Sequence, residues 1–420
     1  MAAKRGRSGL AILGGKPAVT MPQDEALRWP AYGKDELRAV TELVRRGEVS
    51  VSSETTRLEQ EFARFQKARY VVAHNNGTAA GLAGFFALGL QPGDEVICPS
   101  FTFWASVFQT LWLGAKPVFA EIVPETLNLD PEDLARRITP RTRAVVVVHM
   151  LGVPADMDAV MRIARRHRLK VIEDCSHAHG ATYRGRKVGS FGDVAFFSLQ
   201  ASKVLPAGEG GIFVTDRKSC YERALVLGHY ERSGAAGRLS RFSMGLGFKF
   251  RIHPLAAALA RQQLKRLPAT IRRTRANAEY FLRGLRRLRL WDVPRLPRHV
   301  RRVHYQLWEP LRLELLEGVG KERFIEALRA EGVRAGDARY HLLHQNALFQ
   351  DGAPYGPGGF FPAFVGQTPP LHPTDACPVS DRVRQSLVHF PTFAHAPKGL
   401  IDQYLTALRK VEEHLDELRT

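Results

Sequence analysis

Between residues 70 and 215, short β-branched or apolar runs recur at Tyr70–Ala73, Glu95–Cys98, Pro117–Ala120, Ala144–His149, Lys170–Glu173, Val194–Ser198 and Gly211–Thr215, separated by helical patterns. Strands covered on both faces read as near-continuous apolar runs, and their alternation with helices is that of a mainly parallel sheet sandwiched between helices. The pattern restricts the chain to an α/β fold. It also says where chemistry belongs, because ligands of such sheets bind at the carboxyl ends of strands. The loops after Ala73, Cys98, Glu173 and Ser198 are therefore the candidates.

A chain of 420 residues exceeds what one core holds, roughly 250–300 residues. Beyond the sheet, Leu255, Leu259, Leu264, Leu267, Ile271 and Leu282 suggest a helix from Pro254 to about Leu290, bent near Pro268 where an amide donor is lost. It bridges to a smaller α+β domain with a strand at Gln306–Leu313, helices at Lys321–Glu331 and Leu400–Leu418, and a Pro/Gly-rich insertion at 351–373. The expected division is 1–265, the N-terminal segment and large domain, and 266–420, the bridging helix and small domain.

Cys98, Cys175, Cys220 and Cys377 show no paired spacing, so neither a disulfide framework nor a CxxC metal or redox site is indicated. The basic N-terminus lacks an apolar stretch, and the longest apolar run, Ala79–Leu90, is too short to span a bilayer. A cytoplasmic protein with no membrane partner is expected.

The formal net charge is +19, and fourteen basic residues stand against Glu279 and Asp292 between Arg261 and Arg302. Such clustering is either a nucleic-acid footprint, a solvated helix face or a seat for an anionic substrate. With no helix-turn-helix, zinc-finger spacing or RNP-type strand in the sequence, nucleic-acid binding is not the expected role.

Four elements carry chemistry. Lys203, in Phe196-Phe-Ser-Leu-Gln-Ala-Ser-Lys203, lies just past a buried strand where a partly desolvated amine can form a Schiff base. Asp174, in Val171-Ile-Glu-Asp174-Cys-Ser-His177-Ala-His179, ends another strand, where a carboxylate can hold a pyridine nitrogen protonated. A turn cap, or a metal on Asp174, His177 and His179, is the alternative, but no third histidine completes a characteristic spacing, so no metal is expected. His74-Asn-Asn-Gly77-Thr78 follows a strand and opens an Ala/Gly-rich helix, an anion seat favouring a phosphate over a pyrophosphate. Pro99-Ser-Phe-Thr-Phe103-Trp104 offers an aromatic face to a flat cofactor. Together they supply what pyridoxal 5′-phosphate (PLP) requires: an amine, a ring-nitrogen carboxylate, a phosphate seat and a stacking ring.

Over nearly its whole length the chain resembles the DegT/DnrJ/EryC1/StrS family of PLP-dependent aminotransferases acting on keto sugars and cyclitol ketones. The segments that carry the resemblance are Gly89-Leu-Gln-Pro-Gly-Asp-Glu-Val-Ile-Cys-Pro-Ser-Phe-Thr-Phe, Gly114-Ala-Lys-Pro-Val-Phe, Thr126-Leu-Asn-Leu-Asp-Pro-Glu, Ile138-Thr-Pro-Arg-Thr-Arg-Ala and Pro154-Ala-Asp-Met-Asp. The resemblance implies a fold-type I PLP architecture and a homodimer with shared active sites. It implies Lys203 as the Schiff-base lysine, Asp174 as the ring-nitrogen partner, Ser198, Gly77 and Thr78 as phosphate ligands, and Phe103 as the stacking ring. Lys249 matches a position that reaches the phosphate of the neighbouring subunit. His177, where sugar aminotransferases often carry Gln, resembles the aminohydroxybenzoate-synthase and inosose-aminotransferase branches and joins the cofactor-binding set. Lys at position 203, in place of the His of the family's dehydratases, favours transamination from L-glutamine or L-glutamate. The alternatives are a PLP-dependent elimination or aromatising enzyme and a non-catalytic PLP-binding sensor.

Overall fold

The computed structural model describes residues 9–242, 244–350 and 372–419. Each of the anticipated runs of the first half forms a strand: Tyr70–His74, Glu95–Pro99, Lys116–Ala120, Thr142–Val148, Lys170–Asp174, Val194–Ser198 and Gly211–Thr215. They build one seven-stranded sheet, with Tyr70–His74 and Lys116–Ala120 at its edges. Gly211–Thr215 runs antiparallel to both its neighbours, Tyr70–His74 and Val194–Ser198, and every other pairing is parallel. The architecture is α/β, a mainly parallel sheet covered by helices, the fold-type I architecture expected.

This topology places the chemistry. Because one antiparallel strand separates two strands of the same direction, the carboxyl ends of Tyr70–His74, Glu95–Pro99, Lys170–Asp174 and Val194–Ser198 all point to one edge of the sheet. Helix Gly77–Ala87 lies against the sheet with nearly every residue buried. Its glycines sit close to that sheet, a Cβ at Gly84 or Gly81 falling 3.4 Å from the Val194 side chain or 3.5 Å from the Phe196 ring, and a Cβ at Gly81 would crowd the Gln109 side chain at 2.9 Å. Helix Met157–His167 is capped by Asp156, whose Oδ1 accepts from the Ala159 amide at 3.1 Å and satisfies a first-turn donor.

The bridging helix runs from Pro254 to Leu285 with Pro268 inside it, ending earlier than the leucine pattern suggested. Past it Trp291 pairs with Leu311 in a β-bridge, so Leu290 and Trp291 are buried by the second core and not by helix continuation. That core gathers Phe281 and Leu285 with Phe324, Phe390, Leu400 and Tyr404. Its small sheet pairs Leu307–Pro310 with Leu387–Phe390, and the ladder is shorter than the anticipated Gln306–Leu313 because its partner strand begins only where helix Pro378–Ser386 ends and Leu311 turns to bridge Trp291. The last helix is Lys398–Glu413, followed by a separate 3-10 turn at Leu415–Leu418.

Leu10 and Val19 also belong to this second core, so the N-terminal segment, grouped by sequence order with the large domain, packs on the C-terminal one. Buried Glu331 fixes it there by accepting from the amides of Ala11 and Ala18 at 2.8 and 2.9 Å and pairing with Lys410 at 2.8 Å. The insertion at 351–373 lies almost wholly outside the described residues. Among those described, no helix is long and apolar enough to cross a membrane.

Candidate active site

A cavity of about 490 Å³ opens at the carboxyl edge of the sheet. Gly77, Thr78, Phe103, Asp174, His177, Ser198 and Lys203 all line it. The loops singled out by sequence thus converge on one space.

At one end, Asn76 caps helix Gly77–Ala87, its Oδ1 accepting from the Ala79 amide at 2.7 Å. The amides of Gly77 and Thr78 open this helix and so have no carbonyl four residues back to bond, leaving the positive end of the helix facing the cavity. A Cβ at Gly77 would sit 2.8 Å from the Ser198 Cβ, so only glycine lets the helix start and the end of strand Val194–Ser198 close around one small group.

Asp174 is 6% exposed. Its Oδ2 accepts from Ser106 Oγ at 2.6 Å and its Oδ1 from the Ser176 amide at 2.9 Å. Bonds to an ionised acceptor contribute about 1.5–3 kcal/mol each, enough to fix the direction in which the carboxylate faces. Ser106 in turn lies 2.9 Å from Thr102 Oγ1, which extends the network into the loop carrying Phe103. Phe103 is 42% exposed and touches Tyr340, with ring centres 5.9 Å apart.

Lys203 is 9% exposed. Its Nζ lies 3.4 Å from Tyr305 Oη and 4.4 Å from the centre of that ring, and its backbone carbonyl accepts from the Trp29 indole at 3.1 Å. His177 stacks on Tyr305, ring centres 4.2 Å apart. The Leu151 amide donates to His177 Nδ1, which assigns the proton to Nε2 and makes that atom the donor to Tyr340 Oη at 3.2 Å. Burial, then the neighbouring Lys203 charge, holds the His177 imidazole well below its ordinary pKa. Burial and Lys203 likewise lower His179 to about 3. Both rings are neutral; His177 lines the cavity, and His179 lies buried against Phe197.

Lys249 stands apart. It is exposed and lines an adjoining cavity of about 680 Å³ with Asn75 and Arg251, and Glu209 borders both spaces. Among the described residues the metal alternative on Asp174, His177 and His179 is not what the structure assembles; the buried trio with ligand atoms close together there is His149, Glu173 and Cys175. Glu173 there accepts from the Gly189, Phe191 and Gly192 amides and from His149 Nε2, a closed structural network.

Ser106, Tyr305, Tyr340 and Trp29 were not found by sequence reasoning. Ser106 follows the flagged Phe103 loop by three residues, the one local signal available. Tyr305, Tyr340 and Trp29 come from remote parts of the chain and carry none. The polar ends, the glycine cradle and the buried amine facing an aromatic wall fit a flat, phosphorylated carbonyl cofactor.

The chain matches the DegT/DnrJ/EryC1/StrS aminotransferase family over residues 30–363. It is 33% identical over 431 residues, 98% of this chain and 99% of the relative, to an L-glutamine:2-deoxy-scyllo-inosose aminotransferase of Streptoalloteichus tenebrarius. Its fold superposes on an aminotransferase from Psychrobacter cryohalolentis with a TM-score of 0.82 at 28% identity, covering 93% of this chain and 99% of that one. A 3-amino-5-hydroxybenzoic acid synthase gives a TM-score of 0.78 at 26% identity, covering 95% and 100%.

Proposed function

The chain belongs to the DegT/DnrJ/EryC1/StrS aminotransferase family, and from that premise we propose that it uses PLP to move an amino group from L-glutamine or L-glutamate to a cyclitol ketone or keto sugar. The observation that carries this reading is the convergence of Lys203, Asp174, Ser198 and the Gly77–Thr78 helix start on one cavity from three separate strand ends. When bound, the cofactor supplies an electron sink for the carbon that gains or loses the amino group.

The chain's own residues do the rest. Gly77, Thr78 and Ser198 hold the phosphate, and Asp174, aimed by Ser106 and the Ser176 amide, binds the ring nitrogen. Phe103 covers the ring face. Lys203 Nζ attaches the cofactor and, when released, carries the proton to and from the reacting carbon, the role a near-buried amine beside its target performs. Tyr305 limits where that amine can sit, through a hydroxyl at 3.4 Å and a ring face at 4.4 Å. Neutral His177 supports Tyr305 without adding a second positive charge beside Lys203.

Lys249 serves a second copy of the chain in a homodimer with shared sites. Its segment supports this reading by exposing Met244, Leu246 and Phe248, apolar side chains that gain from being covered. We place the protein in the cytoplasm and divide it into a large cofactor-binding domain to about residue 265 and a smaller one beyond, with the segment around Leu10 and Val19 packed on the smaller one.

The first test is the visible spectrum of the purified protein with PLP, before and after L-glutamine, with no acceptor present. A lysine-bound cofactor band that converts to the amine form supports cofactor, donor and half-reaction together. A band that neither glutamine nor glutamate changes favours the elimination reading, and no band at all removes Lys203 from its role.

A further inference from the structure

The basic stretch separates in three dimensions into two unlike parts. Arg261 is neutralised by Glu54 and Glu61, each at 2.5 Å, and Arg266 pairs with Glu36. The second part has no such answer. A cavity of about 790 Å³ between the C-terminal half of helix Pro254–Leu285 and the segment 294–302 is lined by eight arginines and a single acidic residue, Glu279. Among the described residues, none of these arginines, which include Arg275, Arg283, Arg286, Arg298, Arg301 and Arg302, forms an ion pair. Glu279 instead faces His304 at 3.6 Å. The Nε–H groups of Arg286 and Arg302 are buried and without an acceptor.

A buried guanidinium N–H with no acceptor costs free energy, and so does packing like charges around one space. Burial, followed by the charge of Arg301, already presses Arg275 below its ordinary pKa, and burial does the same to Arg302. Glu309 behind Arg302 offers little relief, since burial raises its carboxyl to about 7. A multiply charged anion in the cavity would offset the repulsion among the lining arginines. Arginine's planar fork suits phosphate oxygens, and a single monoanion would leave most of the charge unanswered. Pro294, Leu296 and Pro297 add an apolar wall, and the volume is that of a small-molecule site and not of a lone ion.

The geometry points to a second ligand site for a nucleoside diphosphate or a compound of that class, its phosphates on Arg286 and Arg302 and its planar or apolar portion against the proline wall. It is built from residues that none of the catalytic assignments uses, and it stands whether or not the proposed reaction is correct.

Calorimetry on the PLP-loaded protein, whose catalytic phosphate seat is filled, tests this with inorganic phosphate, pyrophosphate, ADP, adenosine and duplex DNA. ADP and pyrophosphate should bind saturably at one per chain, and phosphate and adenosine at least tenfold more weakly. Arg286→Gln with Arg302→Gln should weaken ADP binding at least tenfold, while Arg272→Gln with Arg273→Gln, in the same stretch but outside the cavity, should not. If the buried pair fails to fold, Arg283→Glu with Arg298→Glu at the exposed rim should give the same loss. Absence of saturable ADP binding, equal affinity for phosphate, or equal loss in the control variant overturns the proposal. Duplex DNA binding at the same arginines with ADP inert overturns it in favour of a nucleic-acid surface.

Discussion

The catalytic cavity and the arginine-lined cavity treat buried charge in opposite ways. In the first, Asp174 receives two hydrogen bonds, Lys203 faces a tyrosine ring and hydroxyl, and the adjacent histidines are kept neutral. In the second, Arg286 and Arg302 have buried Nε–H groups with no acceptor, and the one lining acid points at a histidine. A site that must aim a few groups in fixed directions needs each of them held by neighbours. A site that only gathers charge leaves its cations unpaired for the ligand to answer.

This contrast predicts that single side-chain changes in the first cavity are costly and in the second mild. Lys203→Ala should reduce turnover by at least roughly 10⁴-fold, with an unchanged far-ultraviolet circular dichroism spectrum. Turnover retained by that variant would remove the basis of the catalytic reading. Asp174→Asn should lower kcat by about 10²–10³-fold, and Ser106→Ala by less, since it loosens the carboxylate without removing it.

The two regions share one acid-sensitive feature. His74 near the catalytic edge and His304 beside Glu279 are both depressed by burial to about 4. An unfolded histidine takes up its proton near pH 6.5, so between ~6.5 and ~4 the unfolded chain binds more protons than the folded one. Stability should therefore fall as pH drops through that window, by on the order of a few kcal/mol for each such ring. Urea unfolding at pH 7 and pH 4.5 measures it, and equal midpoints would show that these rings are not held neutral.

Smaller effects sharpen the comparison further. Tyr305→Phe keeps the ring beside Lys203 and His177 but loses the hydroxyl at 3.4 Å, a change of roughly 1 kcal/mol, or several-fold in kcat. Tyr305→Ala should cost clearly more, and equal values for the two would mean the ring itself does nothing. Arg301→Gln should leave kcat unchanged and shift stability by no more than about 0.5 kcal/mol, because no ion pair is lost. A marked destabilisation there would reveal a counter-charge and weaken the contrast.

Much of the fold was readable because strand signals are local. The runs at Val194–Ser198 and Gly211–Thr215 formed strands with the anticipated ends, since each is an apolar segment bounded by polar or glycine residues. Ser198 and Lys203 follow from the end of the first of these, and Asp174 from the end of Lys170–Asp174. Tyr305 and Tyr340 were not readable, because what matters about each is which distant group it reaches. Lys249 was legible only by resemblance, and a single chain leaves it outside the cavity it is proposed to complete.

By itself the sequence determined the α/β alternation, the sheet edge at which chemistry gathers, and the kinds of groups delivered there. Those properties depend on the period of apolar residues and on what immediately follows each strand. Tertiary structure alone decided which charges are answered. Arg261 meets Glu54 and Glu61 about two hundred positions away in the chain, while Arg286 and Arg302, in the same basic run, form no ion pair among the described residues. Charge is written residue by residue, but its neutralisation depends on distances that exist only once the chain has closed on itself.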